Sequence, residues 1–208
     1  MSTALTSAQS ETLATLPGMV IRLGPLRSRL TDEEFEKFCA QNPELRIEMT
    51  SDGVLIIMSP VTPEGSIRNF KLTGRFGAWA EADGTGVGFE SSAGFTLPNG
   101  AKRSPDVFWM RKELWDALTP EQRSEFTHIC PDFVVELGSK TDRLRTLQNK
   151  MKEYLANGAQ LGWLIDPIRH QVHVYNADSS VEILDHPQVI SGEPLLPGFV
   201  LKLDGIID

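Results

Sequence analysis

Two short segments, about thirty residues apart, each place a carboxylate beside a run of apolar residues. The first is Ser-Pro-Asp-Val and contains Asp106, and the second is Phe-Val-Val-Glu-Leu and contains Glu136. A carboxylate beside a buried strand is costly unless a partner compensates its charge. A divalent cation is one such partner, because hard cations bind carboxylate oxygens. Two such carboxylates on neighbouring strands, with a lysine nearby, are typical of metal-dependent phosphodiester cleavage.

Three other side chains are candidates for the same site. Lys150 lies on one flank of the apolar stripe of a predicted helix over 143–157, and its long stem could carry the ammonium to the strand ends. There it could neutralise a phosphate or help a water lose its proton. Gln148, on the other flank, could contact phosphate or a metal-bound water. Glu48 ends the first strand of an early hairpin and could be a third carboxylate ligand.

Weaker candidates lie at two predicted helix starts. Ser139 and Thr141 follow the Glu136 strand and offer hydroxyls and amides at a helix N-terminus, which favours anions. Glu64 opens a predicted helix over 62–81. His173 alternates with valines, so we expect it on the solvent face of a strand.

Each candidate also has an ordinary structural explanation. Asp106 follows a proline and could simply turn or cap the chain. Glu136 could belong to a buried salt bridge, and Lys150 could be a surface lysine. Glu48 could be a charge on the exposed face of a hairpin. Glu64 could be a first-turn acid that the helix dipole favours.

The charge distribution is more informative than the net charge of −8. That net charge argues against a general nucleic-acid coat protein. Residues 101–112 and 140–152 nevertheless carry net charges of +3 and +4, so the rest of the chain carries −15. The positive charge therefore flanks the two carboxylate segments, where it could attract a phosphate-bearing substrate. A solvated helix face would explain the second basic segment equally well.

Length and composition are those of one globular domain. The chain has 208 residues, of which 40% are hydrophobic and 23% charged. We expect residues 1–16 to form a mobile lead-in, without the features of a signal peptide, and 17–208 to form the domain. No apolar run is long enough for a membrane span. Two cysteines, Cys39 and Cys130, fit a reducing cytoplasm.

Apolar periodicity and turn residues predict an α/β domain with a mixed sheet. The helices are predicted at 31–40, 62–81 and 143–157, with helical turns at 112–118 and 121–124. Two hairpins are predicted, 45–48 with 54–58 and 171–175 with 181–184. Further strands are predicted at 87–90, 94–97, 105–110, 133–137 and 161–165, and 199–203 is predicted as an edge strand.

Several motifs together resemble the Uma-type family of bacterial restriction endonuclease-like proteins. They are the Asp106 and Glu136 segments, Lys150-Met151-Lys152-Glu153-Tyr154 with Asn157-Gly158, Trp163-Leu164-Ile165-Asp166-Pro167, and Arg46-Ile47-Glu48 with Asp52-Gly53. The resemblance covers about residues 20–203, and the motifs are specific in combination.

This family is similar to the PD-(D/E)xK nuclease superfamily. The resemblance implies a restriction-endonuclease-like core, with a central mixed sheet flanked by helices and Mg²⁺ held between strand carboxylates. Asp106 and Glu136 match the two acidic positions. Gly138 stands where the superfamily lysine belongs, and Lys150 fits a lysine supplied by the following helix. Where the family usually has a histidine, at the start of the second helix, the chain offers Glu64 and Asn69 instead.

These features favour a cytoplasmic, metal-dependent DNA endonuclease. Asp106 and Glu136, with Glu48 as a third ligand, are predicted to bind Mg²⁺ or Mn²⁺, and Lys150 is predicted to stabilise charge or orient water. A second hypothesis is a catalytically degenerate nucleic-acid-binding or regulatory protein, motivated by Gly138 and the acidic charge. A third is a nuclease for RNA or another phosphate ester. Cutting both strands of a duplex favours a homodimer.

Overall fold

A computed structural model of the chain describes residues 19–21 and 30–208. The predicted lead-in at 1–16 lies outside the described residues. None of the helices in the described ranges is long and apolar enough to cross a membrane.

The N-terminal part of the domain forms a small antiparallel sheet beside one helix. Its elements are β1 (Met19–Ile21), α1 (Asp32–Gln41), β2 (Arg46–Met49) and β3 (Leu55–Met58). Thr31 and Glu34 form the predicted capping box at the start of α1. β2 and β3 form the predicted hairpin, and Gly53 in the turn has a φ of 87°, which favours glycine.

A central mixed sheet of six strands forms the main body of the domain. In chain order its strands are β4 (Gly86–Glu90), β7 (Val107–Arg111), β8 (Phe133–Leu137), β9 (Leu161–Asp166), β10 (Gln171–Asn176) and β11 (Val181–Asp185). Their spatial order is β11-β10-β9-β8-β7-β4. Only β8 and β9 pair in parallel, so the predicted mixed sheet is confirmed.

Two very short strands link the sheets. β5 (Phe95–Thr96) and β6 (Lys102–Arg103) extend the N-terminal sheet to the order β1-β3-β2-β6-β5. Three residues separate β6 from β7 of the central sheet, so the chain passes directly from one sheet to the other. The sequence pattern predicts neither β6 nor β1.

The helices cover both faces of the central sheet. The long ones are α2 (Pro63–Asp83) and α5 (Leu144–Ala156), and the short ones are α3 (Lys112–Asp116) and α4 (Pro120–Arg123). Thr62 caps α2 as predicted, with Pro63 in its first turn. The predicted cap of α5 by Thr141 or Asp142 is wrong: Arg143 is the N-cap residue, without a side-chain capping bond.

Successive side chains of β8 pack in two hydrophobic cores, one on each face of the central sheet, because a strand points neighbouring side chains to opposite faces. Phe133 and Val135 pack with α2 in a cluster that includes Trp163 and Phe199. Val134 lies on the other face, packed against α5. Glu136 follows on that second face, so the strand places a carboxylate beneath α5.

The C-terminal segment completes the first of these cores. β12 (Val189–Ser191) and β13 (Val200–Lys202) form a separate two-stranded sheet, and Leu201, Leu203 and Ile206 are buried beneath it. The prediction of 199–203 as an edge strand is therefore right about a strand but misses its partner, β12. The solvent-facing prediction for His173 is wrong: the residue is 2% exposed, because α5 covers that face of β10.

Candidate active site

The candidate site lies where the N-terminal sheet meets the central sheet. β2 supplies Glu48, β6 supplies Arg103, and β8 supplies Glu136. Asp106 stands at the entrance to β7, in the short passage between the two sheets. The pairing of β2 with β6, through Met49 and Lys102, brings these elements together.

The strand register sets Asp106 opposite Glu136. Val107 pairs with Val135 in the antiparallel ladder of β7 and β8. Asp106, one residue before Val107, therefore faces Glu136, one residue after Val135. The Asp106 amide donates to the Val135 carbonyl at 3.1 Å, which extends the ladder by one bond. In return, the Leu137 amide donates to Asp106 Oδ2 at 2.8 Å. Backbone bonds therefore fix the position of Asp106.

Lys150 of α5 bridges the two sheets. Its Nζ lies 2.8 Å from Glu48 Oε1 and 2.8 Å from Glu136 Oε1. The lysine side chain is 13% exposed, so this ammonium is a largely buried ion and its partners compensate the cost of burial. The surface-lysine explanation does not describe this residue.

Glu48 is also held by donors on the β6 side. Its Oε1 accepts the Ser104 amide at 3.0 Å, and its Oε2 accepts Arg103 Nη1 at 3.1 Å. Arg103 continues the network through its Nε, which lies 2.7 Å from Glu153 Oε2 on α5. Glu48 is 2% exposed, so its description as a charge on the exposed face of a hairpin does not fit either.

Burial shifts the carboxylate pKa values in different directions. Burial raises the pKa of Glu136 to about 7, with Asp106 and Glu48 adding to the effect against the opposing charge of Lys150. Burial likewise raises the pKa of Asp106. At Glu48 burial acts in the same direction, but Lys150 and Arg103 outweigh it and lower its pKa. Glu48 is therefore the most firmly ionised of the three.

The ammonium of Lys150 stays protonated. Burial acts to lower its pKa, but Glu136 and Glu48 outweigh burial and raise it. A lysine in this state donates hydrogen bonds and positive charge and does not accept a proton at neutral pH.

One oxygen on each of Asp106 and Glu136 remains free of partners among the described residues. Glu136 Oε1 accepts Lys150 and the Tyr154 hydroxyl, the latter at 2.8 Å, whereas no hydrogen bond reaches Oε2. Asp106 uses Oδ2 for the Leu137 amide and leaves Oδ1 unbonded. Two neighbouring acids with raised pKa values and free lone pairs are a donor set that suits a hard divalent cation.

Two carboxylates are too few to complete the coordination shell of a metal ion with protein ligands alone. Within residues 19–21 and 30–208, no three histidine, cysteine, aspartate or glutamate side chains come together as ligands for a metal ion. Mg²⁺ does not need three, because it commonly uses one or two carboxylates and completes its shell with water and phosphate oxygens. The pair formed by Asp106 and Glu136 fits that pattern.

Other predicted residues stand apart from this network. Gln148 is half-buried on α5, and its side chain makes no hydrogen bond within the described part of the chain. The Ser139 amide and hydroxyl both bind Asp142 Oδ2, so an internal carboxylate occupies the predicted anion position. Thr141 contacts only the Ser139 hydroxyl among the described residues. Glu64 binds Arg68 and Lys140 on the surface.

Three members of the network are absent from the predicted site: Arg103, Glu153 and Tyr154. Arg103 belongs to a two-residue strand that carries too little pattern to be recognised. Tyr154 belongs to the apolar stripe of α5, and this periodicity conceals its polar hydroxyl. The spacing of Lys150 and Tyr154, one helical turn apart, was the available signal, because residues four apart share a helix face.

Gly138 occupies the position two residues after Glu136. A Cβ atom there would lie 3.4 Å from the Ile165 carbonyl oxygen and 3.5 Å from Leu147 Cδ1, which are ordinary contacts. Packing therefore leaves room for a Cβ atom at this position. The cation of the site comes instead from Lys150 on the adjacent helix.

Comparison with known proteins agrees with this architecture. The model of the Uma2 family, described as "Putative restriction endonuclease", matches residues 32–204. No curated protein matches the chain.

Among the solved structures with a similar fold is one that matches over most of its length. It is described as a putative nuclease belonging to DUF820 from Anabaena variabilis ATCC 29413, and it aligns with a TM-score of 0.68 at 20% sequence identity. The alignment covers 86% of this chain and 97% of that one. The predicted α/β fold, with a central mixed sheet flanked by helices, is thereby confirmed.

Proposed function

Because the chain belongs to the Uma2 family of putative restriction endonucleases, we propose that it is a metal-dependent endonuclease that hydrolyses DNA phosphodiester bonds. One observation carries the proposal: Asp106 and Glu136 lie side by side, each with a free oxygen, next to the buried ammonium of Lys150. The salt bridges of Lys150 account for Glu48 and Glu136. They do not account for Asp106, a further acid with a raised pKa beside Glu136.

Asp106 and Glu136 would hold Mg²⁺ or Mn²⁺ through the oxygens that the protein leaves unbonded. When bound, the ion supplies Lewis acidity at the phosphate and lowers the pKa of its water ligands. The prediction that Glu48 is a third ligand stays a prediction. Its two oxygens already bind Lys150, Ser104 and Arg103, which suits a residue that holds the lysine in place.

Lys150 has the charge state and location to act on the phosphate. Its ammonium is anchored by Glu48 and Glu136, with one N–H direction left for a further acceptor. Negative charge that develops on a phosphate oxygen would be stabilised by this preorganised cation. The alternative role, orienting an attacking water, uses the same N–H group. The raised pKa argues against a role as general base.

Exposed basic residues support a nucleic-acid substrate. Lys140 is 72% exposed, and Arg143 and Arg145 are exposed at the start of α5, which follows the Glu136 strand. Cations in this position would contact backbone phosphates without reading the sequence. We propose a homodimer for double-strand cleavage and a cytoplasmic location, the latter because Cys39 and Cys130 are free thiols.

The proposal is tested by nicking of supercoiled plasmid with Mg²⁺, Mn²⁺ or EDTA. The wild-type chain should cleave only with a divalent ion, and Glu136→Gln should lower the rate by roughly 1,000-fold because the ligand charge is lost. Glu182→Gln, on the exposed strand β11, is the matched control and should cleave like wild type. Cleavage that persists in Glu136→Gln contradicts the proposed site.

The alternative function is a degenerate nuclease fold that binds nucleic acid without cutting it. Gly138 favours this alternative, because a glycine stands where the superfamily has its lysine. In that case the chain should bind DNA in a salt-sensitive way and show no nicking with any metal. Cleavage of RNA in competition with DNA would instead support the third hypothesis, a ribonuclease.

A further inference from the structure

We infer that Tyr154 is a positioning residue that fixes the orientation of the Glu136 carboxylate for metal binding. This inference rests on the proposed function, because it concerns the same site. In this role Tyr154 acts through the Glu136 carboxylate, to which its hydroxyl donates.

The hydroxyl of Tyr154 has one hydrogen-bond partner among the described residues. It donates to Glu136 Oε1 at 2.8 Å, and the Tyr154 side chain is fully buried. A buried tyrosine hydroxyl needs such a partner, but a backbone carbonyl would serve equally well. Here the partner is the acid that we place at the metal, and the hydroxyl is directed to one of its two oxygens.

Lys150 donates to the same oxygen from the same helix. Lys150 and Tyr154 are four residues apart on α5, so their side chains emerge one above the other. The ammonium lies 5.9 Å from the centre of the Tyr154 ring, which links the two donors to each other as well. Helix α5 therefore presents two neighbouring donors to Glu136 Oε1.

Two donors on one oxygen restrict rotation of the carboxylate. A carboxylate held only by the flexible lysine could turn and exchange its oxygens, whereas a phenol on a packed ring cannot follow such a turn. Tyr154 packs against Phe95 at 6.3 Å between ring centres, within the core beneath α5. The free oxygen, Oε2, thus keeps a constant direction. Groups that orient a metal ligand in this manner commonly contribute 10- to 100-fold to metal affinity.

The test compares Tyr154→Phe with wild type by titrating Mg²⁺ in a calorimeter and, separately, in the plasmid nicking assay. We expect the dissociation constant for Mg²⁺ and the half-saturating Mg²⁺ concentration for cleavage both to rise about 10-fold. Cleavage at saturating Mg²⁺ should return to within about threefold of wild type, because the reacting groups are intact. A purely structural role would change thermal stability and leave the Mg²⁺ midpoint unchanged.

Tyr175→Phe is the matched control. Tyr175 is 3% exposed and packs in the same core as Tyr154, and its hydroxyl bonds to none of the site residues. This variant should keep the wild-type Mg²⁺ midpoint. An unchanged midpoint in Tyr154→Phe, with wild type binding Mg²⁺, would overturn this inference alone. A wild-type chain that binds no divalent ion and cuts no nucleic acid would overturn the proposed function together with it.

Discussion

Both faces of the central sheet pack against other elements, but among the described residues the buried ion pair of the sheet lies on one of them, the face covered by α5. On the α2 face, Phe76, Trp163 and Phe199 form an aromatic cluster with ring centres 4.8 to 6.0 Å from their neighbours. On the α5 face, the apolar packing ends at Glu136, Lys150 and Tyr154. Strand β8 contributes side chains to both faces, because successive residues of a strand point to opposite sides of the sheet.

The contrast shows how stability and chemistry can be separated within one sheet. The aromatic face contributes dispersion and hydrophobic free energy, which tolerate small shifts of the side chains. The charged face depends on matched ions, since removing one partner leaves another buried charge without compensation. Substitutions on the aromatic face should therefore lower stability alone, whereas substitutions on the charged face should lower both stability and cleavage.

Among the substitutions that compare the two faces, the largest effect is expected from Lys150→Met, on the charged face. Removing the ammonium takes away the cation near the phosphate, and loss of a single preorganised donor typically lowers turnover by 100- to 1,000-fold. Glu48 and Glu136 would also lose their shared partner, at a cost of about 3 kcal/mol in the free energy of unfolding at pH 8. Plasmid nicking and urea unfolding measure the two losses. Wild-type cleavage by the variant would remove Lys150 from the site.

Phe199→Ala should affect the other face alone. The ring is 2% exposed and stacks on Trp163 at 5.6 Å, so truncation leaves a cavity and should cost about 3–4 kcal/mol of stability. The nicking rate per folded molecule should stay within about twofold of wild type. Urea unfolding measures the stability, and nicking is assayed at a temperature where the variant is folded. A large loss of rate in folded protein would show that the two faces are coupled.

The free energy of unfolding should depend on pH through Glu136 of the charged face, whereas the aromatic cluster of the other face contains no group that titrates in this range. Since the folded chain raises the pKa of Glu136 to about 7 from an ordinary value of 4.5, it holds that proton more tightly than the unfolded chain does. Without metal, the free energy of unfolding should fall as pH rises from about 4.5 to about 7, by at most about 3 kcal/mol from this group, and stay level above.

Mg²⁺ should reverse that loss, because it binds the ionised carboxylate. At ten times its dissociation constant, Mg²⁺ should raise the melting temperature by about 4 °C at pH 8 and by much less at pH 5.5. Differential scanning calorimetry measures both arms, and Glu136→Gln should show no Mg²⁺ response at either pH. Equal Mg²⁺ shifts at the two pH values would place the bound ion elsewhere.

The smallest effect concerns the source of the cation. Gly138→Lys, combined with Lys150→Met, places a lysine on the Glu136 side of β8, where a Cβ meets only ordinary contacts. We expect nicking to recover by about 10-fold relative to Lys150→Met alone. Gly138→Ala in the same background is the control and should give no recovery. Failure of the folded double variant to recover would show that the cation must come from α5.

The sequence predicts the long elements well because their signals are local. The predicted strand at 133–137 has the same bounds as β8, and α1 and α2 start at the predicted caps. These features depend on apolar periodicity and capping residues within a few positions of each other. β1 and β6 are missed, since strands of two or three residues are defined by their distant partners.

The residues of the candidate site also separate into those with a local sequence signal and those defined by distant partners. Asp106, Glu136 and Lys150 lie in segments whose pattern places them at strand ends and on a helix flank, and the structure brings them together. Arg103 depends on a pairing between β2 and β6, which no local pattern encodes. Tyr154 is missed as a site residue because its ring belongs to the apolar stripe of α5, which is the pattern of a core residue. Gln148 shows that a residue on the flank of a helix stripe need not join the network that Lys150 of the same helix joins.

The passage of the chain from one sheet to the other, at residues 104–106, has a consequence for folding. The bond between Lys150 and Glu48 closes a loop of 102 residues, and that between Arg103 and Glu48 closes one of 55. Contacts of such high sequence separation form late and slow the approach to the native state. The central sheet can hold its own core while the N-terminal hairpin opens as a separate cooperative unit. Native-state hydrogen exchange should then detect β2 and β3 opening at lower free energy than β8 and β9.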